Sequence, residues 1–281
     1  MKCKIPMVAS LSAFAPENFT MAEAQGQTWL RLGLGGLDIR FFFKGALLDK
    51  GLGDAMSSRE VLTPLLGEPL SMVAPRQVHG VTVLDAVIEN TRRASAPPVE
   101  GDGILLDTRE ALRTGKGLEA SLRFADCAPI VILPSREGEE TRDCDEWALL
   151  LHSGYKGTVQ NIVKVGLEKA RDRYGMEAAR SAQAWVGPCV GGENYPRDRD
   201  EWTLRGLQSF HKENVKSGGE RGEKFFFDIA GELKCQLKDA GIQESRIFCA
   251  GIDTCDCPEF CYSYRRGERE RRMFLWARIS E

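Results

Sequence analysis

Three short segments of this chain carry side chains that bind metals or act as nucleophile and base. They read Arg76-Gln77-Val78-His79-Gly80, Ala125-Asp126-Cys127-Ala128-Pro129 and Leu151-His152-Ser153-Gly154-Tyr155-Lys156-Gly157. The chain has only 3 histidines in 281 residues, and two of them stand beside glycines at the edges of apolar runs. Two imidazoles and a thiolate form a ligand set for zinc that leaves a fourth position for water or substrate. They would also leave the ion a net positive charge, enough to lower the pKa of bound water. A metal-free reading uses the same residues, with Cys127 as nucleophile and His79 or His152 as its base. Two histidines suit the metal more economically, because a Cys–His pair needs one. Asp126 either orients a ligand or caps its turn. A third class, a non-catalytic module stabilised by zinc, needs the ligands but not the basic residues around them.

Those basic residues are Arg76, three positions before His79, and Lys156, four after His152. Arginine clamps a phosphate or carboxylate through two N–H groups, and lysine offers a point charge. The turn from Gly154 to Gly157 leads into a predicted helix, whose first backbone N–H groups face an anion favourably. A second glycine-rich turn, Gly187-Pro188-Cys189-Val190-Gly191-Gly192, lacks the spacing of a dinucleotide fingerprint or a P-loop.

The elements that must position these groups are strands of strongly apolar character. Segments 37–43, 81–84, 103–106, 118–124, 129–133, 147–151 and 183–186 read as strands. Those at 129–133 and 147–151 are almost continuous apolar runs, as expected of strands covered on both faces. Cys127 follows one strand and His152 ends another, where a sheet places its crevice. Thr158 to Tyr174 has helical periodicity, and a second helix follows Asp228 as N-cap and ends near Gly241. Residues 191–199 and 213–223 read as irregular surface, and 135–146 as a charged hairpin-like excursion. No repeat or linker divides the chain. The expectation is a mixed α/β (α+β) fold: one compact domain over residues 1–281, with a mixed β-sheet core flanked by helices.

The composition, 42% hydrophobic and 28% charged with a formal net charge of -3, is that of a globular protein with no pull towards nucleic acid. The run Arg265, Arg266, Arg269, Arg271 and Arg272 is interleaved with Glu268 and Glu270, which suits a partly paired surface. The N-terminus makes a poor signal peptide, and no apolar run reaches the ~20 residues of a membrane helix, so a cytoplasmic protein without membrane contact is expected. A monomer is the default, with a dimer as the alternative. Of the 9 cysteines, Cys249, Cys255, Cys257 and Cys261 are spaced C-x5-C-x-C-x3-C. That spacing lacks the C-x2-C pairs of common structural zinc sites, so reduced thiols are the simpler reading.

Taken together, the three opening segments, Gly187-Pro188-Cys189-Val190-Gly191 and Phe260-Cys261-Tyr262-Ser263-Tyr264-Arg265-Arg266 closely resemble the signatures of the multicopper polyphenol oxidoreductase (laccase-domain) family. Members of that family are regarded as purine nucleoside enzymes, and the matches run in family order from about residue 76 to 266. The resemblance implies one zinc ion per chain, held by His79, Cys127 and His152. It implies phosphorolysis of adenosine, inosine, guanosine and methylthioadenosine, together with deamination of adenosine. The partners would be purine nucleosides and inorganic phosphate, with Arg76, Lys156 and Lys44 as candidate anion-binding residues. Departures fall at Lys156, where the family has arginine, at Tyr155, where it has tryptophan, and at Pro196, where it has glutamate. Phe43-Lys44-Gly45 alone represents the family's N-terminal threonine-arginine-glycine segment. Three histidines cannot build a laccase-type copper cluster, which depends on many imidazole ligands.

Overall fold

Side chains alternate across a strand, so a continuous apolar run requires apolar cover on both sides. Strands β8 (Ala128–Pro134) and β9 (Trp147–Ser153) meet that condition. Val131, Leu133, Ala148 and Leu150 enter one core, and Ile130, Ile132, Leu149 and Leu151 enter another. The chain is a computed structural model that describes residues 20–32, 36–90, 98–108, 117–135, 147–175, 180–219 and 223–279. The leader reading falls outside the described residues, as does the charged excursion from residue 136 to 146.

The two cores belong to a three-layer arrangement. The first sheet runs β1 (Thr20–Ala24), β2 (Gln27–Arg31), β3 (Leu37–Phe42), β15 (Met273–Ile279), β7 (Leu118–Phe124) and β4 (Ser71–Val73). The second runs β14 (Ile247–Cys249), β10 (Ala182–Val186), β8, β9, β6 (Gly103–Asp107) and β5 (Val83–Asp85). Both are mixed: β4–β7, β5–β6 and β10–β14 are parallel pairs among antiparallel ones. The first core includes Phe41, Phe124 and Trp185, which meet between the sheets. The second lies between the second sheet and helices α5 (Ile162–Tyr174) and α7 (Ile229–Asp239). The remaining helices are α1 (Ala55–Val61), α2 (Thr63–Leu66), α3 (Ala86–Asn90), α4 (Tyr155–Val159) and α6 (Glu201–Ser209). This is a single compact α/β domain with a mixed-sheet core flanked by helices.

Three readings of the sequence change. The helix expected over Thr158 to Tyr174 is two helices, α4 and α5, divided at Asn161. Asn161 takes φ +58 and accepts from Lys164 N at 2.9 Å as the N-cap of α5, a conformation that asparagine tolerates better than most residues. The strand expected at 81–84 begins at Val83. The segments read as irregular surface hold β11 (Pro196–Asp198) and β12 (Val215–Gly218), which pair with β13 (Lys224–Phe227) in a small antiparallel sheet. Its strands, of three or four residues each, are too short to show a periodicity.

The predicted cap at Asp228 is present, its Oδ1 accepting from Gly231 N at 3.0 Å. Asp228→Ala is expected to cost about 1 kcal/mol through α7. Thermal denaturation should show this as a fall in Tm of about 2–4 °C.

Candidate metal centre

Antiparallel pairing, not parallel strands, brings the cysteine and the buried histidine together. In the β8–β9 register Ala128 faces Ser153 and Pro129 faces His152. Cys127, one residue before β8, therefore arrives at the end of the sheet where β9 finishes. On the other side of β9, His152 N donates to Asp102 O at 2.7 Å, just ahead of β6. The loop before β5 then delivers His79. Ligand atoms of His79, Cys127 and His152 all lie within 4.8 Å of one another, and the two imidazole centroids are 5.1 Å apart. His152 is buried, Cys127 intermediate and His79 exposed, so the cluster opens to solvent on the His79 side. A His/Cys/His cluster capable of coordinating a metal ion is present.

Asp102 fixes this geometry. Its side chain is fully buried and its carboxylate accepts from Val78 N at 3.2 Å, His79 N at 3.0 Å and Gly80 N at 2.7 Å. Its Oδ1 also lies 2.8 Å from His152 Nδ1. One carboxylate thus wraps the His79 turn and occupies the inner nitrogen of His152, leaving Nε2 as the ligating atom. Burial alone would raise the Asp102 carboxyl, but the bonds from His152, Gly80 and His79 hold it below the usual carboxylate range.

Two residues here adopt left-handed backbone without being glycine: His79 at φ +60 and Asp126 at φ +80. Each such residue costs on the order of 1–3 kcal/mol and persists only where its surroundings enforce it. Asp102 does so for His79. Asp126 is held by its own carboxylate, which accepts from Thr254 Oγ1 at 2.6 Å and from Arg265 N at 2.7 Å. Both of its oxygens are engaged with the C-terminal segment, so the carboxylate that touches a ligand is Asp102. Gly154 supplies the remaining clearance, because a Cβ there would stand 2.8 Å from Cys127 Sγ and 2.9 Å from His79 Cδ2.

The local field matches the donor set. Burial pushes His152 below its ordinary value, which favours the neutral imidazole a metal needs. Loss of water pushes the Cys127 thiol up to about 12, and Asp126 and Asp102 add to the effect. In the free protein Cys127 is therefore a thiol, and an ion must displace its proton.

The cations expected to hold an anion do not converge on this cluster as free charges. Exposed Arg76 is paired with Glu100. Lys44 Nζ lies 2.7 Å from Glu268 Oε1, and Lys156 Nζ sits 4.8 Å from the centre of the Trp202 ring. Gln77, by contrast, has a clear structural task. Its side chain bonds both the N–H and the carbonyl of Arg123 at 2.9 Å, tying the His79 loop to the end of β7. His211 is outside the cluster and bonds Glu232 at 3.2 Å. Among the described residues the C-terminal cysteines form no ligand group; His79, Cys127 and His152 are the only set of three or more. Cys249, Cys255 and Cys261 are free thiols, but Cys257, read from the spacing as reduced, is disulfide-bonded.

Residues 54–278 match the family described as Multi-copper polyphenol oxidoreductase laccase. The chain belongs to that family. Among its curated relatives, a purine nucleoside phosphorylase of Aquifex aeolicus (strain VF5) is 27% identical over 179 residues, covering 63% of this chain and 70% of that protein. Adenosine deaminase RL5, from an unknown prokaryotic organism, is 32% identical over 247 residues, covering 85% of this chain and 89% of that protein. In fold the chain is similar to YlmD from Geobacillus stearothermophilus, with TM-score 0.73 and 23% identity over 94% of this chain and 99% of that one. It is also similar to the hypothetical protein YfiH of Bacillus licheniformis, with TM-score 0.74 and 19% identity over 95% of this chain and all of that one. The kinship and the cluster together mark a catalytic site. No helix among the described residues is long and apolar enough to cross a membrane.

Sequence reasoning missed Asp102, although a signal was available. It stands between Gly101 and Gly103 at the mouth of an apolar run, the same setting as the two histidines. An aspartate there reads as a turn residue, and its four hydrogen bonds become visible only once β6, β9 and the His79 loop meet.

Proposed function

We propose that this protein is a zinc-dependent enzyme of purine nucleosides, cleaving their glycosidic bond with inorganic phosphate and deaminating adenosine. One observation carries the reading: Asp102 occupies His152 Nδ1, while the donor atoms of the triad stand ready within 4.8 Å of one another. The substrate class comes from the relatives, three of which are named purine nucleoside phosphorylases and one an adenosine deaminase. Two imidazoles and a thiolate suit zinc, which would supply Lewis acidity at the open side of the cluster. The chain's own part is positioning. Asp102 orients His152, the left-handed turn aims His79, and Gly154 leaves room beside Cys127 and His79. A laccase-type copper cluster does not fit, because only two of the 3 histidines reach the site.

A second reading has its own observation. Cys127, His152 and Asp102 are also arranged as nucleophile, base and orienting carboxylate. A thiol pushed up to about 12 by burial weighs against it, since little thiolate would be present at neutral pH. Incubating purified protein with inosine separates the possibilities. Release of hypoxanthine only when phosphate is added is expected. Stoichiometric metal with no turnover of any purine nucleoside would favour the non-catalytic zinc module. Full activity after metal removal would favour the thiol enzyme.

A further inference from the structure

Two arginines next to the cluster make no salt bridge within 4.0 Å among the described residues. In the register of the first sheet Phe274 lies opposite Arg123, and Met273 opposite Phe124. Continuing β15 back by one residue puts Arg272 on the same face as Arg123, as its diagonal neighbour. The opposite face carries Leu122 and Phe124, and the Phe124 ring meets Phe41, which in turn meets Trp185 of the second sheet. Both arginines therefore stand on the outer side of the strand end that leads into Cys127.

The Arg123 guanidinium is not fully satisfied there. Arg123 Nη2 donates to Pro75 O at 2.6 Å, but its Nη1 is buried with no hydrogen-bond partner. Arg272 donates to Arg271 O at 2.7 Å, and neither arginine has an ion-pair partner among the described residues. The acids that attract Arg123, Asp54 and Asp102, bond to other groups. Asp54 caps α1 through Ser57 N, and Asp102 serves the His79 turn and His152. Burial lowers Arg123 to about 10, which Asp54 resists and Arg272 reinforces. Arg123 stands four residues before Cys127, and its bond to Pro75 O joins it to the loop that carries His79. Two like charges held together, one with an orphan N–H, are costly unless an anion completes the arrangement.

We propose that Arg123 and Arg272 form an oxyanion subsite beside the triad and that inorganic phosphate occupies it. The forked N–H groups of guanidinium match a tetrahedral oxyanion, and Arg272 is the partly exposed member that an arriving anion meets first. The choice of phosphate rests on the phosphorolytic reading above; the site itself rests on two arginines without a salt bridge among the described residues. Arg76, Lys44 and Lys156 already have partners and are secondary.

The test is calorimetric titration of inorganic phosphate into the zinc-loaded full chain, comparing wild type with Arg272→Gln, Arg123→Gln, Arg76→Gln and Lys156→Gln. Arg272→Gln and Arg123→Gln should each weaken phosphate binding by about tenfold or more, the loss of a charge-assisted contact. Arg76→Gln and Lys156→Gln should change it by less than about threefold, as expected of contacts at the rim. Zinc content, measured in every variant, should match wild type, so the loss is not relayed through the metal. If Arg123→Gln fails to fold, Arg272→Gln alone decides. Wild-type affinity in Arg272→Gln, a loss confined to Arg76→Gln or Lys156→Gln, or no saturable binding in wild type would each overturn the proposal. Failure of the nucleoside reading would look different: phosphate would bind through these arginines, yet no nucleoside would turn over.

Discussion

Cys127→Ala yields a folded protein that no longer binds zinc tightly. Loss of an outer hydrogen-bond partner costs a metal site roughly 10–100-fold in affinity, and removal of a ligand itself should cost more. Binding to the native state stabilises by about 4 kcal/mol when free metal is a thousandfold above Kd. Wild type should therefore melt at higher temperature when zinc is added, and the variant should not. The pH dependence follows from the thiol. Because Cys127 is protonated in the free protein up to about 12, binding must expel a proton. Zinc affinity should then rise by about tenfold per pH unit through the neutral range in wild type, and this slope should be absent in Cys127→Ala. A variant that keeps both zinc and turnover would remove Cys127 from the site. A variant that keeps zinc and loses turnover would point to the thiol enzyme.

Asp102→Ala is expected to be the most damaging single change to stability. It leaves His152 Nδ1 and three backbone N–H groups without their acceptor inside the protein. Breaking a buried pair of this kind costs about 3–5 kcal/mol. The left-handed turn at His79 then loses its hold, so zinc affinity should fall together with stability. Asp102→Asn separates the two effects, because it keeps one acceptor oxygen while removing the charge. The acid limb of the stability curve gives the sign. The Asp102 carboxyl is depressed in the folded state, so its contribution is complete above the ordinary unfolded value. It is lost as pH falls through the depressed folded value. Urea unfolding across this range should show the acid limb in wild type and a flatter one in Asp102→Asn. Equal stability of Asp102→Ala and wild type would refute the clamp.

Much of this could be read from the residue pattern, for identifiable reasons. Apolar runs at 129–133 and 147–151 announced strands covered on both faces, and Asp228 announced the start of α7. Cys127 and His152 were placed at strand ends correctly, but their meeting depends on the antiparallel Pro129–His152 register, which leaves no local trace. Asn161 broke a helix whose periodicity continues across it. Asp102 and Arg123 stayed hidden for a shared reason. Each looks like an ordinary polar residue at a strand end until tertiary packing shows which of its bonds are made and which is missing.

The most direct test is zinc K-edge X-ray absorption of the loaded protein. A first shell containing one sulfur at about 2.3 Å and two imidazole nitrogens at about 2.0–2.1 Å, completed by one lighter oxygen or nitrogen donor, is the expected result. The sulfur contribution should vanish in Cys127→Ala. A shell without sulfur in wild type, one with several sulfurs, or a protein that takes up no zinc would contradict a centre built from His79, Cys127 and His152.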